Sequence, residues 1–184
     1  MTATLTIDEI RQELKKAGIA FNDYCSSLPD TAFFYQPPGK WSPAQQVKHL
    51  IEATNMARLV FALPKLIVRW YAGKPNRSSR TYDQLVDKYK SKLEQGGKAS
   101  GRYIPKPISA SYGKQKLLTG FEHSMNRMQQ AIKRNWKEPQ PDQYIAPHPL
   151  LGKITLRELG YFTIHHTYHH LENIKRMTAV SATA

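Results

Sequence analysis

The stretch TLRELGYFTIHHTYHHLENIKRM, residues 155–177, carries a helix start and four histidines within one run. Thr155 and Glu158 stand three apart, the spacing at which a hydroxyl and a carboxylate cap the free N–H groups of a first helical turn. Nothing breaks the run before Met177: it holds no proline, and its one glycine, Gly160, weakens a helix by only about 1 kcal/mol. At 100° per residue, Leu159, Phe162, His166, His170, Asn173, Ile174 and Met177 fall on one side. His165 and His169 turn toward Glu158, Glu172 and Arg176, the expected polar edge. The histidines thus divide into an inward pair, His166 and His170, and a pair expected at the rim or in solvent.

A one-sided helix needs partners, and the rest of the chain supplies them. Thr6 and Glu9 form another capping box, ahead of a helix with Ile7, Ile10, Leu14, Ile19 and Phe21 among its apolar positions. In WSPAQQVKHLIEATNMARLVFAL (41–63), Ser42 is the N-cap, Pro43 takes the first helical position and Gln45 completes the box. Pro64 ends or kinks that helix. A short apolar helix with a basic loop follows, then helical spacing in TYDQLVDKYKSKLEQGG (81–97) and a long helix near 112–136 with Leu117, Leu118, Phe121, Met125, Met128 and Ile132 on one stripe. Residues 29–40 read as a loop and 137–153 as a proline-rich connection, and the tail AVSATA (179–184) is expected to fray. No run shows sustained strand alternation. The expectation is an all-α four-helix bundle with short additional helices, one domain over 1–184.

Composition narrows the function classes. With 40% hydrophobic and 22% charged residues, the chain has the balance of a globular protein with a core. MTATLTIDEIRQELKK turns charged before any signal-length apolar stretch, and the most apolar segment is interrupted by Arg58, Pro64, Lys65 and Arg69. No membrane span and a cytoplasmic location are therefore expected. Cys25 is the only cysteine, which leaves no internal disulfide and no cysteine-rich zinc site. The net charge is +13, with basic residues dense from Lys65 to Lys106. Such a surface attracts phosphates or acidic small molecules, but no nucleic-acid motif accompanies it, so a solvated basic face is the preferred reading over nucleic-acid binding. The segment LVFALPKLIVRWY (59–71) exceeds what a minimal bundle needs and reads equally as an added core element or a homodimer face.

Two imidazoles at i and i+4 can direct ring nitrogens at one divalent ion. A third ligand is expected from another helix, and His49 is the candidate, on a largely apolar face with Gln45, Ala53, Met56 and Val60. A single inward histidine is better explained by a hydrogen bond to a carbonyl or carboxylate. For three, with two at i and i+4, a shared ion is the more economical way to meet the cost of burying them. No glutamate follows the first histidine in an HExxH pattern, so a metalloprotease is not expected.

GKWSPAQQVKHL (39–50) and HPLLGKITLRELGYFTIHHTYHHLENI (148–174) resemble the two separated signatures of the DinB/YfiT-like superfamily, in the right order. The resemblance implies a four-helix bundle holding a divalent metal through three histidines, here His49, His166 and His170. His169 stands beside His170 as a rival ligand. Where the family commonly ends this run in Gln-Ile, the present chain has Asn173 and Ile174. Some relatives are transferases using low-molecular-weight thiols or a thiol-dependent isomerase. Three neutral imidazoles would leave the ion its charge and an open position for a thiol or water, giving a thiol S-transferase or a hydrolase acting on a small-molecule substrate. Glu52, Tyr168 and His169 are the candidates for acid–base work, with Glu52 also readable as a solvated charge or a partner orienting His49. His148 reads equally as a residue near the mouth of the site or as an ordinary loop residue. Cys25 is explained by packing. Zinc and nickel lead for the metal, with iron and copper also accepted by imidazole ligands. The rival readings are a structural ion in a non-catalytic binding protein and a stress-related protein with a nucleic-acid-binding face.

Overall fold

The computed structural model describes residues 4–181. Helices form at α1 (Ile7–Ser27), α2 (Asp30–Phe34), α3 (Pro43–Ala62), α4 (Lys65–Ala72), α5 (Tyr82–Glu94), α6 (Lys114–Asn135), α7 (Gln140–Gln143) and α8 (Leu156–Ser181). Two short strands, β1 (Ile145–His148) and β2 (Gly152–Thr155), pair as an antiparallel hairpin. The long helices close a ring in which α1 packs on α6, α6 on α3, α3 on α8 and α8 on α1. This is the expected four-helix bundle, and α5 lies outside it against α8.

Local chemistry starts most of the long elements. Thr6 with Glu9, Ser42 with Gln45 and Thr81 with Gln84 each make a reciprocal capping box. At α8 the Glu158 amide donates to Thr155 Oγ1 at 3.2 Å, and the Thr155 amide donates to Glu158 Oε2 at 2.9 Å. Each such cap stabilises a helix end by about 1 kcal/mol. Leu63 closes α3 immediately before Pro64, as the proline requires.

Burial then fixes how the helices lie. Ile10, Leu14 and Phe21 of α1 and Leu117, Leu118, Phe121 and Met128 of α6 are almost wholly shielded, and the Phe21 and Phe121 rings meet at 4.8 Å. Trp136 is buried against Phe61 and donates its indole N–H to the Phe61 carbonyl at 2.8 Å. Gly160 allows α8 to approach α1, because a Cβ there would stand 2.8 Å from Ile10 Cγ2.

Several expectations are corrected. Ile19 is 51% exposed and lies off the core stripe of α1. The expected loop after α1 contains α2, anchored by the fully buried Phe33. The proline-rich connection holds α7 and the hairpin, paired Ile145↔Thr155 through His148↔Gly152. Four-residue strands containing Pro147 carry too little alternation to read as strands, and their packing on α4 and α8 supplies what the pattern lacks. The last helix continues past Met177 to Ser181, through the first part of the tail expected to fray, while 182–184 lie outside the described residues. Glu158, expected on a polar edge, is fully buried, because α5 and the loop before it cover that side of α8. The dense basic stretch is partly internal: Arg77 and Arg80 both bind Glu158, and Arg69 and Lys88 donate to the carbonyls of Gln143 and Leu151. Segment 59–71 divides, with Phe61 and Val68 buried and Leu66, Trp70 and Tyr71 exposed. Among the described residues, no helix is long and apolar enough to cross a membrane.

Candidate metal centre

His49 projects from the second turn of α3, and His166 and His170 from successive turns of α8. Each is 6% exposed. The packing of α3 on α8 brings them together although 117 residues separate His49 from His166. Nε2 of His166 lies 3.1 Å from Nε2 of His49 and 3.1 Å from Nε2 of His170. One ligand atom from each ring lies within 4.8 Å of the other two.

The outward nitrogens decide what these inward ones can be. His49 Nδ1 lies 2.7 Å from the Tyr103 carbonyl oxygen, which can only accept, so Nδ1 carries the proton. His170 Nδ1 lies 2.9 Å from Gln46 Oε1. The Gln46 amide is oriented by its own nitrogen, which donates to the Trp41 carbonyl at 3.5 Å, so His170 is also protonated at Nδ1. Both rings therefore present a bare Nε2 lone pair to His166. His166 Nε2 can donate to at most one of them, and the other close pair is lone pair against lone pair. A cation at the centre resolves that conflict. Two of the three separations, at 3.1 Å, are close to the spacing of about 3.3 Å that tetrahedral zinc with bonds of 2.0–2.1 Å sets between its nitrogens.

Electrostatics keeps the rings neutral, as ligation requires. Burial holds the His49 imidazolium below its ordinary range, with the Tyr103 hydrogen bond acting the other way. His166 and His170 are pushed well below it, first by burial and then by neighbouring imidazoles. Trp41 stacks nearly parallel to His170, 7° between planes, and Phe162 covers His166 at a ring separation of 4.8 Å.

The remaining predicted residues occupy different places. His169 is half-buried under Tyr89 of α5, accepts from Asn173 Nδ2 at 2.9 Å and lines the cavity above the cluster. His165 also lies half-buried against Tyr89, and burial lowers it to about 4. Of the two places expected for them, the rim or the solvent, both are half-buried rather than free in solvent. Glu52 is 42% exposed and paired with Lys48 at 2.9 Å, so the group orienting His49 is the Tyr103 carbonyl. Tyr168 sits near Glu13 and Lys16 of α1 and is not among the residues lining the cavity. His148 does line it, its Nδ1 accepting from the Leu150 and Leu151 amides while burial lowers it to about 4. Cys25 is wholly buried, and burial pushes its thiol up to about 12.

Gln46 and Tyr103 were not recognised from sequence. Gln46 carried a faint signal, an amide three residues before His49, whereas Tyr103 acts through its backbone and carried none.

The bundle and its histidine cluster define a class of helical proteins with a candidate three-histidine metal site. The chain matches the DinB superfamily model over residues 13–174, a span containing all three histidines, and it belongs to that superfamily. No curated protein matches the chain.

Proposed function

We propose that His49, His166 and His170 hold one divalent ion, and that the protein is a metal-dependent enzyme of the S-transferase or hydrolase type working in the cytoplasm. The observation that carries this reading is the convergence of three buried Nε2 atoms, two with lone pairs fixed inward by Tyr103 and Gln46. A divalent ion held there supplies positive charge that lowers the pKa of a thiol or water at its open position.

The protein's own groups do the rest. The imidazoles enter uncharged, so they do not cancel the ion's charge. Tyr103 and Gln46 fix ring orientation, which the site needs before any ion arrives. Trp41 and Phe162 shield two flanks of the cluster, while the side toward His148 and His169 opens on a cavity. Of the three acid–base candidates, His169 alone lines that cavity. Its neutral ring, with Nε2 accepting from Asn173, leaves an Nδ1–H to donate toward a substrate. Cys25 is too deeply buried and too weakly acidic to serve as the reacting thiol.

Metal content by mass spectrometry, on untagged protein, tests the site. About one ion per chain in the native protein, lost from His49→Ala, His166→Ala and His170→Ala variants that keep their circular dichroism, is the expected result. A native chain that stays empty after reconstitution with zinc and nickel overturns the reading. Thiol-transfer and ester-hydrolysis screens on the loaded protein then separate the two reaction types, and inactivity in both alongside a tightly held ion favours a structural ion.

A further inference from the structure

We propose that the cavity above the histidine cluster binds an apolar organic anion, a molecule with an extended hydrocarbon or aromatic body and an anionic group, and that this ligand is the substrate. The inference rests on the metal-centre reading for the claim that the ligand reacts, and on the cavity itself for the claim that it binds.

Size comes first. The cavity measures about 1250 Å³, larger than the 300–1,000 Å³ typical of drug-sized ligand sites. A water or a cysteine-sized thiol would leave most of it filled with solvent. Its walls are apolar, with Met56 and Val60 of α3, Leu63 at the end of that helix, Ile67 of α4, Tyr89 of α5 and Phe162 of α8 lining the space.

The mouth adds a second observation. Trp70 and Tyr71 of α4 and Tyr35 ahead of α3 line the same cavity yet are 86%, 73% and 55% exposed. Three aromatic rings left in water around one opening form an apolar patch that a bound hydrocarbon would cover.

Charge gives the sign. Lys40, Lys98 and Arg176, from three separate segments, line the cavity, and no aspartate or glutamate does among the described residues. No carboxylate there pairs with any of the three. An apolar space ringed by unneutralised cations favours an anionic ligand over a cationic one of the same body.

The test uses the full chain and two ligands sharing one hydrocarbon tail. The anionic fluorophore 8-anilinonaphthalene-1-sulfonate reports occupancy. Dodecanoate and dodecyltrimethylammonium, both below their micelle concentrations, compete for it. One saturable site is expected, with dodecanoate displacing the dye at least about tenfold more strongly than the ammonium compound. The triple variant Lys40→Glu, Lys98→Glu, Arg176→Glu should erase or reverse that preference with unchanged circular dichroism. Absence of a saturable site, equal affinity for the two ligands, or a preference that survives in the folded triple variant overturns the proposal. So does association with anionic lipid vesicles without binding of monomeric dodecanoate, which would make the aromatic patch a membrane surface. Metal content is measured on the same samples. A chain that holds metal but not dodecanoate overturns this inference alone, and one that binds dodecanoate without metal supports the cavity while overturning the metal centre.

Discussion

Replacing Gln46 by leucine tests whether the site is built before the metal arrives. Gln46 is 5% exposed, and its Oε1 receives the His170 Nδ1 proton at 2.9 Å. Leucine keeps a similar volume and removes the acceptor, along with the long 3.5 Å donation to the Trp41 carbonyl. The His170 N–H is then left unsatisfied in a buried place, which costs about 1–3 kcal/mol. The ring can escape by turning or by moving its proton to Nε2, and either change withdraws a lone pair from the cluster. Removing the partner of a metal-binding histidine weakens affinity about 10- to 100-fold, or about 1.4–2.8 kcal/mol, and the two figures agree. The assay is a zinc titration of metal-free protein against a fluorescent chelator, with circular dichroism as the folding control. Gln46→Glu is the companion variant: its carboxylate accepts the same proton in a charge-assisted bond while losing the donor to the Trp41 carbonyl, so affinity should fall less than in Gln46→Leu. A Gln46→Leu protein that binds zinc within threefold of native would refute the claim that this hydrogen bond fixes the ligand.

Three further outcomes follow from burial. Burial alone would raise the Glu158 carboxyl, but hydrogen bonds from Arg77 and from the Arg80 and Thr155 amides more than offset it and hold it below its ordinary value. A carboxylate lowered by folding adds stability that is fully present above its unfolded pKa of about 4.3 and is lost as the pH falls through the folded value. Urea unfolding should therefore show the native chain losing stability below that point, and Glu158→Gln losing less; equal acid loss in both would refute the assignment. Because Arg77 and Arg80 are partly solvated, Glu158→Ala should cost about 3 kcal/mol at pH 7, the low end for breaking a buried pair. Cys25, wholly buried with its thiol at about 12, should react with Ellman's reagent at pH 7.5 at least about a thousandfold more slowly than an exposed cysteine, and promptly in guanidinium. Rapid reaction of the folded protein would reopen Cys25 as a reactive thiol.

The four capping boxes show how far local chemistry reaches. Three were read directly, at Thr6, Ser42 and Thr155, and the fourth, Thr81 with Gln84, opens α5 where helical spacing resumes. A cap is complete within four residues, so its meaning survives without knowledge of the fold. The same holds for the face shared by His166 and His170, which one helical turn defines. The hairpin at 145–155 and the helix at Asp30–Phe34 failed to show because short elements carry too few residues for a period to emerge, and contacts with α4, α8 and α3 supply their stability instead.

The sequence by itself determined the class of fold, the starts of its long helices and the inward direction of His49, His166 and His170. Periodicity states which way a side chain points, but not what lies opposite. Only the tertiary structure decided that α3 and α8 pack so that three Nε2 atoms converge. It also decided that the proton acceptors behind them are Gln46 and a backbone carbonyl, that Glu158 is sealed beneath two arginines, and that Lys40, Lys98 and Arg176 ring one cavity. These are contacts between residues tens to more than a hundred positions apart. They exist because burying the apolar faces of four helices fixes their mutual register, and no window of sequence contains that term.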